Sequence, residues 1–201
     1  MDERVGKLIN KLKKEDLYDD SFIFFYSDHG GPFPRHKRAI YETGTKVPFL
    51  VKFPVGKNEK VNKKQLLSFV DLAPTVLSIA GVKSPSEYQG FAFLGKNKSK
   101  IEREFLYTSS DRFDNVPDRI RAVRDSKFKY IRNYNQENSH ALNVLYRKQM
   151  LLMRHLTSLH LTGQLDEKSD NWFKSPRLME ELYDLENDPF ELNNLSPVSY
   201  T

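Results

Sequence analysis

Apolar side chains recur at Val5, Leu8, Ile9 and Leu12, the i, i+3, i+4, i+7 spacing of one helix face, so residues 2–14 are predicted helical. Residues 15–20 are polar and form a connector. The run Ser-Phe-Ile-Phe-Phe-Tyr-Ser at 21–27 shows no alternation, the pattern of a strand covered on both faces. It stops at Asp28-His29-Gly30-Gly31, and Pro32 and Pro34 then enforce a loop. A second apolar strand is predicted over 47–53, closed by Pro54 and followed by a charged surface loop at 57–64. Residues 66–70 read as a third strand. Asp71 is placed to N-cap a helix that tolerates Pro74 in its first turn, runs to Ala80 and ends at Gly81.

After the lysine-rich stretch 96–100 the pattern changes. Residues 104–108, 119–124 and 128–132 are predicted strands, the last two forming a hairpin across 125–127. Residues 142–161 have helical periodicity and 182–185 return as a strand. Strand and helix alternate over the first 82 residues, so the expected class is α/β, followed by a small α+β subdomain with an antiparallel sheet. The expected domains are 1–96 and 101–201. An aromatic strand buried on both faces needs more sheet than two or three strands supply. The chain is therefore expected to enter its fold partway through.

Composition sharpens this picture. With 14 Phe, 10 Tyr and 38% hydrophobic residues, there is ample material for a packed core. A net charge of +5 favours anionic partners without choosing among nucleic acid, polysaccharide and phosphate or sulfate esters. The absence of cysteine removes disulfides, thiolate metal sites and a thiol nucleophile, and leaves the compartment open. No apolar run approaches the ~20 residues that cross a bilayer. Asp2, Glu3 and Arg4 directly after Met1 are unlike a signal peptide, so none is expected at this start.

The polar cluster after the first strand sits where open α/β sheets gather ligands. Asp28 beside His29 offers a carboxylate and an imidazole to a divalent cation, and the two glycines let backbone approach a bound group. The same residues also suit a plain turn, and the pattern alone leaves both open. Downstream, Arg35-His36-Lys37-Arg38 clusters cations as an oxyanion site requires, or as a solvated basic loop does. His155 and His160 are five apart, off the shared face of an i, i+4 metal pair, and read as structural or solvent-facing. The Met-Leu-Leu-Met run at 150–153 and the pair Trp172-Phe173 are expected to pack in the core. In 128–134, basic and aromatic residues interleave as a strand with one apolar and one charged face.

Residues 21–54 run strand, Ser27-Asp28-His29-Gly30, a lysine-bearing loop, Tyr41-Glu42-x-Gly44, then Val47-Pro48 and a strand. This order resembles the C-terminal signature region of sulfatases in the alkaline-phosphatase-like superfamily. Residues 68–82, Gln89-Gly90 and 181–196 resemble the segments that follow it and the usual ending. The Gly-Gly-Pro-x-Pro-Arg-x-Lys-Arg form is most similar to the branch of heparan and N-sulfoglucosamine sulfatases.

The resemblance implies hydrolysis of a sulfate ester or N-sulfate on a sugar of the glycosaminoglycan kind. Asp28 and His29 would be two ligands of a divalent cation, calcium in this family. Lys37 would be the catalytic lysine that binds the sulfate. Arg112 and Arg119 would read the sulfated sugar, with ion pairs to Asp111 and Asp118 as the alternative. The family's formylglycine nucleophile arises from Cys/Ser-x-Pro-x-Arg, which this chain lacks, as it lacks the N-terminal aspartates of the metal site. The chain is thus expected to be inactive without the N-terminal part of the same enzyme. Two alternatives stay open: part of a phosphodiesterase or phosphonate hydrolase with an Asp-His zinc or manganese pair, or a non-catalytic basic module for anions. No nucleic acid or membrane partner is expected, and the family implies a periplasmic, extracellular or lysosome-like compartment.

Overall fold

The computed structural model describes residues 1–57 and 64–196. The chain forms two compact units, Met1–Asp28 with Val47–Lys63, and His29–Lys46 with Lys64–Thr201. Residues 58–63, most of the predicted charged loop, lie outside the described residues.

In the smaller unit, α1 (Asp2–Lys14) has Asp2 and Glu3 in its first turn and Lys11, Lys13 and Lys14 in its last, which suits the helix dipole at both ends. Strands β1 (Ile23–Tyr26) and β2 (Phe49–Lys52) pair antiparallel, with Ile23 opposite Lys52 and Tyr26 opposite Phe49. The strand expected to be covered on both faces is not: Phe25, Tyr26 and Leu50 are exposed. What order the strands have comes from aromatic contacts, Phe22 edge-on to Phe53 at 5.6 Å and Tyr26 against Phe49 at 5.6 Å. Lys52 adds a link to the connector, donating to the Ser21 carbonyl at 3.3 Å and lying 4.3 Å from the Tyr18 ring.

The larger unit is built on a four-stranded antiparallel meander, β3 (Leu106–Phe113), β4 (Val116–Arg124), β5 (Phe128–Asn133) and β6 (Glu180–Asp184), in that spatial order. Short α2 (Glu42–Thr45) precedes it. Between β5 and β6 come α4 (Leu145–Gln149), α5 (Leu151–Leu161) and α6 (Glu167–Asp170). The helix predicted over 142–161 breaks because Met150 takes an extended backbone, ψ 122, closing α4 and opening α5. The strand expected at 66–70 is replaced by one isolated bridge, Leu66 to Arg103, and a single 3-10 turn at Phe69–Asp71.

Helix α3 (Leu72–Ile79) forms as read, and Gly81 ends it at φ 80. Its expected cap does other work. The buried Asp71 carboxylate accepts the Ser68 and Phe91 N–H groups, each at 2.8 Å, and takes Arg103 Nη2 at 2.7 Å. One anion thus holds the loop at 89–103 against the helix start, a charge-assisted set stronger than a simple cap.

Strand β5 inverts its expected faces. Lys129, Ile131 and Asn133 point into the core, while Phe128 faces out. Lys129 is 1% exposed, and its ammonium reaches Glu42 and Glu191 at 3.2 Å each. Arg124 adds a 2.6 Å pair to Glu42. A buried charge is tolerable only when paired, and each charge here has an opposite partner, although Glu191 Oε1 has the Lys129 ion pair without a hydrogen bond among the described residues. Around it pack Ile40, Tyr41, Ile120, Ala122, Ile131, Trp172 and Tyr183. Trp172 and Met153 are buried as expected, but Leu151 and Leu152 of the same run are exposed, so only one side of α5 packs in the core. His160 binds Asp170 at 2.6 Å while stacking on Phe173.

Candidate functional site

The loop from His29 to Tyr41 is held by backbone before any side chain is counted. The Gly30 N–H meets the Gly44 carbonyl at 2.9 Å, and the Lys37 N–H meets the Gly31 carbonyl at 3.0 Å. A Cβ on Gly30 would collide with the Thr43 carbonyl, and one on Gly44 with the Ala39 and His36 carbonyls. The close approach that Gly30 permits is therefore to the loop's own backbone. Arg35 (φ 60) and Arg38 (φ 66) sit in the left-handed region, which disfavours side chains by roughly 1–2 kcal/mol per residue.

Side-chain anchors offset that strain. Arg35 donates to the Glu191 carbonyl at 2.9 Å and the Phe190 carbonyl at 3.3 Å, and its guanidinium lies 4.0 Å from the Tyr41 ring. The Glu42 N–H donates to Glu191 Oε2 at 2.6 Å. His36 packs edge-on against Phe33 at 5.5 Å. Arg38 pairs with Asp114 and covers the Phe113 ring at 4.6 Å. Three of the four basic residues at 35–38 thus fasten the loop.

Lys37 differs. Among the described residues, no ion pair or side-chain hydrogen bond engages its ammonium. It is half-buried and lines a shallow cleft with Phe33, Phe113, Tyr146 and Arg147. The arrangement offers a cation beside apolar aromatic faces, which suits a ring bearing an anionic substituent. Phe113, Tyr146 and Arg147 carried no signal in the sequence, because they reach the cleft only through the hairpin after β3 and through α4.

His29 is half-buried, and its Nδ1 lies 2.7 Å from the Gly30 carbonyl. A carbonyl only accepts, so Nδ1 carries the proton and the lone pair of the neutral ring is on Nε2. Asp28 is exposed at the end of the smaller unit, and the division of the chain falls between these two residues. Among the described residues, no three or more His, Cys, Asp or Glu side chains come together to hold a metal ion.

Arg112 and Arg119 are both exposed. Arg112 follows an irregularity in the pairing of β3 with β4, and Arg119 covers the Tyr134 ring at 4.8 Å. Neither forms the ion pair that its neighbour suggested: Asp111 pairs with Arg121 at 2.7 Å, and buried Asp118 is gripped by both nitrogens at the end of Arg177.

A second polar cluster fills the core beside Tyr41. Glu181 accepts the Tyr183 hydroxyl at 2.6 Å, the Tyr41 hydroxyl at 2.8 Å and Asn133 Nδ2 at 2.6 Å, with His140 at 3.5 Å. Burial pushes this carboxylate upward, but the His140 hydrogen bond and charge, then Tyr183 and Asn133, outweigh it and hold it at about 2. Burial first, and then the Glu181 charge, raise both tyrosines far above their usual value. All three therefore keep one protonation state near neutral pH, as structural groups do and proton-transfer groups do not.

The Sulfatase family model matches residues 1–82. An ulvan-active sulfatase of Formosa agariphila is 47% identical over 98% of this chain and 33% of its own length. An N-acetylglucosamine-6-O-sulfatase of Bacteroides thetaiotaomicron is 27% identical over 97% of this chain and 30% of its own. A solved structure in complex with its substrate, D-glucosamine-2-N,6-O-disulfate, aligns with a TM-score of 0.60 and 25% identity, covering 96% of this chain and 33% of that one. A 2-O glycosaminoglycan sulfatase shares the fold, with a TM-score of 0.65 at 22% identity and 35% of its length covered. The chain spans about a third of the length of the curated relatives it matches. Its architecture is α/β with antiparallel sheets, corresponding to part of the alkaline-phosphatase-like fold of these sulfatases.

Proposed function

We propose that this chain, which is similar to sulfatases, supplies the lysine-bearing side of a site that hydrolyses sulfate esters or N-sulfates of sugars. The observation that carries the reading is Lys37, the cation of the 35–38 run left without a side-chain partner among the described residues, lining an aromatic cleft on a loop its neighbours immobilise. Its compact ammonium holds sulfate oxygens as charge builds on them in the transition state. Phe33, Phe113 and Tyr146 offer flat faces for the C–H side of a sugar ring. Because the loop is already strained and pinned, little ordering is left to do when the sulfate arrives. Arg112 and Arg119, exposed on β3 and β4, add positive charge that favours a polyanionic saccharide.

Asp28 and His29 offer one carboxylate and one ring nitrogen, whereas calcium takes six to eight oxygens. The residues of this chain therefore do not fit the ion by themselves, and no step is assigned through it. The Cys/Ser-x-Pro-x-Arg motif behind a formylglycine nucleophile is likewise not in this sequence. In this reading residues 1–96 are a piece of the α/β domain and 101–201 its C-terminal subdomain.

The test uses the 201-residue chain and glucosamine 6-sulfate. The chain should release no sulfate with or without calcium. It should bind the sulfated sugar in preference to glucosamine, and Lys37→Ala should weaken that binding about tenfold. Sulfate release that Lys37→Ala abolishes would overturn the incompleteness of the chain, and equal binding of the two sugars would overturn the role of Lys37.

A further inference from the structure

Behind the Lys37 cleft, a cavity of about 30 Å³ lies among Arg38, Asp118, His140, Arg147, Trp172 and Arg177. A water needs on the order of 10–15 Å³ measured in this way, so the space takes two waters or one compact ion. Two buried donors of residues that line it, Trp172 Nε1–H and Arg177 Nε–H, have no hydrogen-bond partner among the described residues. Such groups are rare, because leaving one unmade costs the full desolvation of the donor.

The charges around the cavity nearly cancel. Arg177 is matched by Asp118 and Arg38 by Asp114, while Glu181 is occupied by the Tyr41 and Tyr183 hydroxyls and Asn133. Arg147 is the exception. It is 8% exposed, its Nη1 donates to the His140 carbonyl at 2.6 Å, and its guanidinium covers the rings of Phe113 at 4.3 Å and Trp172 at 5.4 Å. Among the described residues no carboxylate pairs with it. Burial, and then the Arg38 cation beside it, pull this guanidinium down to about 10. An arginine nonetheless stays charged at neutral pH, so the cost persists until a negative charge arrives.

We propose that this cavity binds one small monovalent anion, of chloride or formate size, through Trp172 Nε1–H, Arg177 Nε–H and the Arg147 guanidinium. Size and charge choose the ligand: one unmatched positive charge calls for a monoanion, and two waiting donors with so little room exclude a sulfate or a sugar. Arg147 and Phe113 line both spaces, but the anion proposal does not rest on the sulfate reading of Lys37.

Trp172 is the single tryptophan of the chain, so its fluorescence reports on the cavity directly. At fixed ionic strength, bromide should quench it along a saturating curve. Chloride or formate should reverse the quenching, and the bulkier gluconate should not. Exchanging gluconate for chloride should also raise Tm by about 3 °C, as ligand binding to the folded state requires. Trp172→Phe, which keeps the shape and removes the N–H, should abolish most of that gain, as should Arg147→Gln. Strictly linear bromide quenching that chloride leaves unchanged would overturn the proposal, as would a salt-dependent gain in Tm that survives Trp172→Phe. So would gluconate competing as well as chloride.

Discussion

Beneath α2 the larger unit buries charge in balance, with Glu42 and Glu191 facing Lys129 and Arg124 at 2.6 to 3.2 Å. Beside Trp172 it buries Arg147 with no carboxylate among the described residues to match it. Both regions lie against the same four-stranded sheet, and both put a cation where water hardly reaches. They differ in what completes them. The first is closed by the chain's own residues, so it can only hold the fold together; the second keeps donors and charge in reserve. A buried cation by itself therefore says little about ligands, and the tally of its partners says much more.

The comparison can be broken most severely at Lys129. Lys129→Met leaves the Glu191 carboxylate buried without its cation, and removing one member of a buried pair costs about 3–5 kcal/mol. At roughly 2–4 °C per kcal/mol for a chain this size, Tm should fall by about 6–20 °C, read by thermal denaturation. A loss under about 1 kcal/mol would mean that the network is solvated and the contrast with Arg147 is false.

Acid sharpens it next. Glu181 titrates at about 2 in the folded chain against 4.5 unperturbed. A depressed carboxylate stabilises fully above its unfolded value, and that contribution is lost as pH falls from about 4.5 toward 2. The shift corresponds to roughly 3 kcal/mol. Urea unfolding at stepped pH should show this loss, and Glu181→Gln should flatten it. An unchanged slope in the variant would assign the acid sensitivity elsewhere.

The smallest effect is expected at the surface. Asp111 and Arg121 pair at 2.7 Å but are 65% and 41% exposed. Asp111→Asn should cost less than about 1 kcal/mol, and less again in 1 M salt. A larger loss would remove the distinction between buried and exposed pairs on which the comparison rests.

Much of this fold is legible as pattern. The amphipathic spacing of α1, the apolar runs of β1 and β2 and the hairpin of β4 and β5 each form where side-chain periodicity puts them. Reading fails where a distant partner decides. Lys129 belongs on the outer face of β5 by polarity, and it points inward because Glu42 and Glu191 wait there, 87 and 62 positions away. Asp71 looks like a helix cap until Arg103 and Phe91 claim it. In the loop, Ser27-Asp28-His29-Gly30 and the four basic residues mark a special segment. Which of the four stays free depends on Asp114 and on the Phe190 and Glu191 carbonyls, which no local window contains.

The Arg35 clasp on those two carbonyls spans 155 and 156 positions of chain. Contacts over such a separation form late, because the chain must first surrender the freedom of everything between. On the ribosome, then, the segment around Lys37 emerges well before residues 190 and 191 but acquires its final shape only after they have been made. Until that moment its cations hang in solution, available to any passing polyanion.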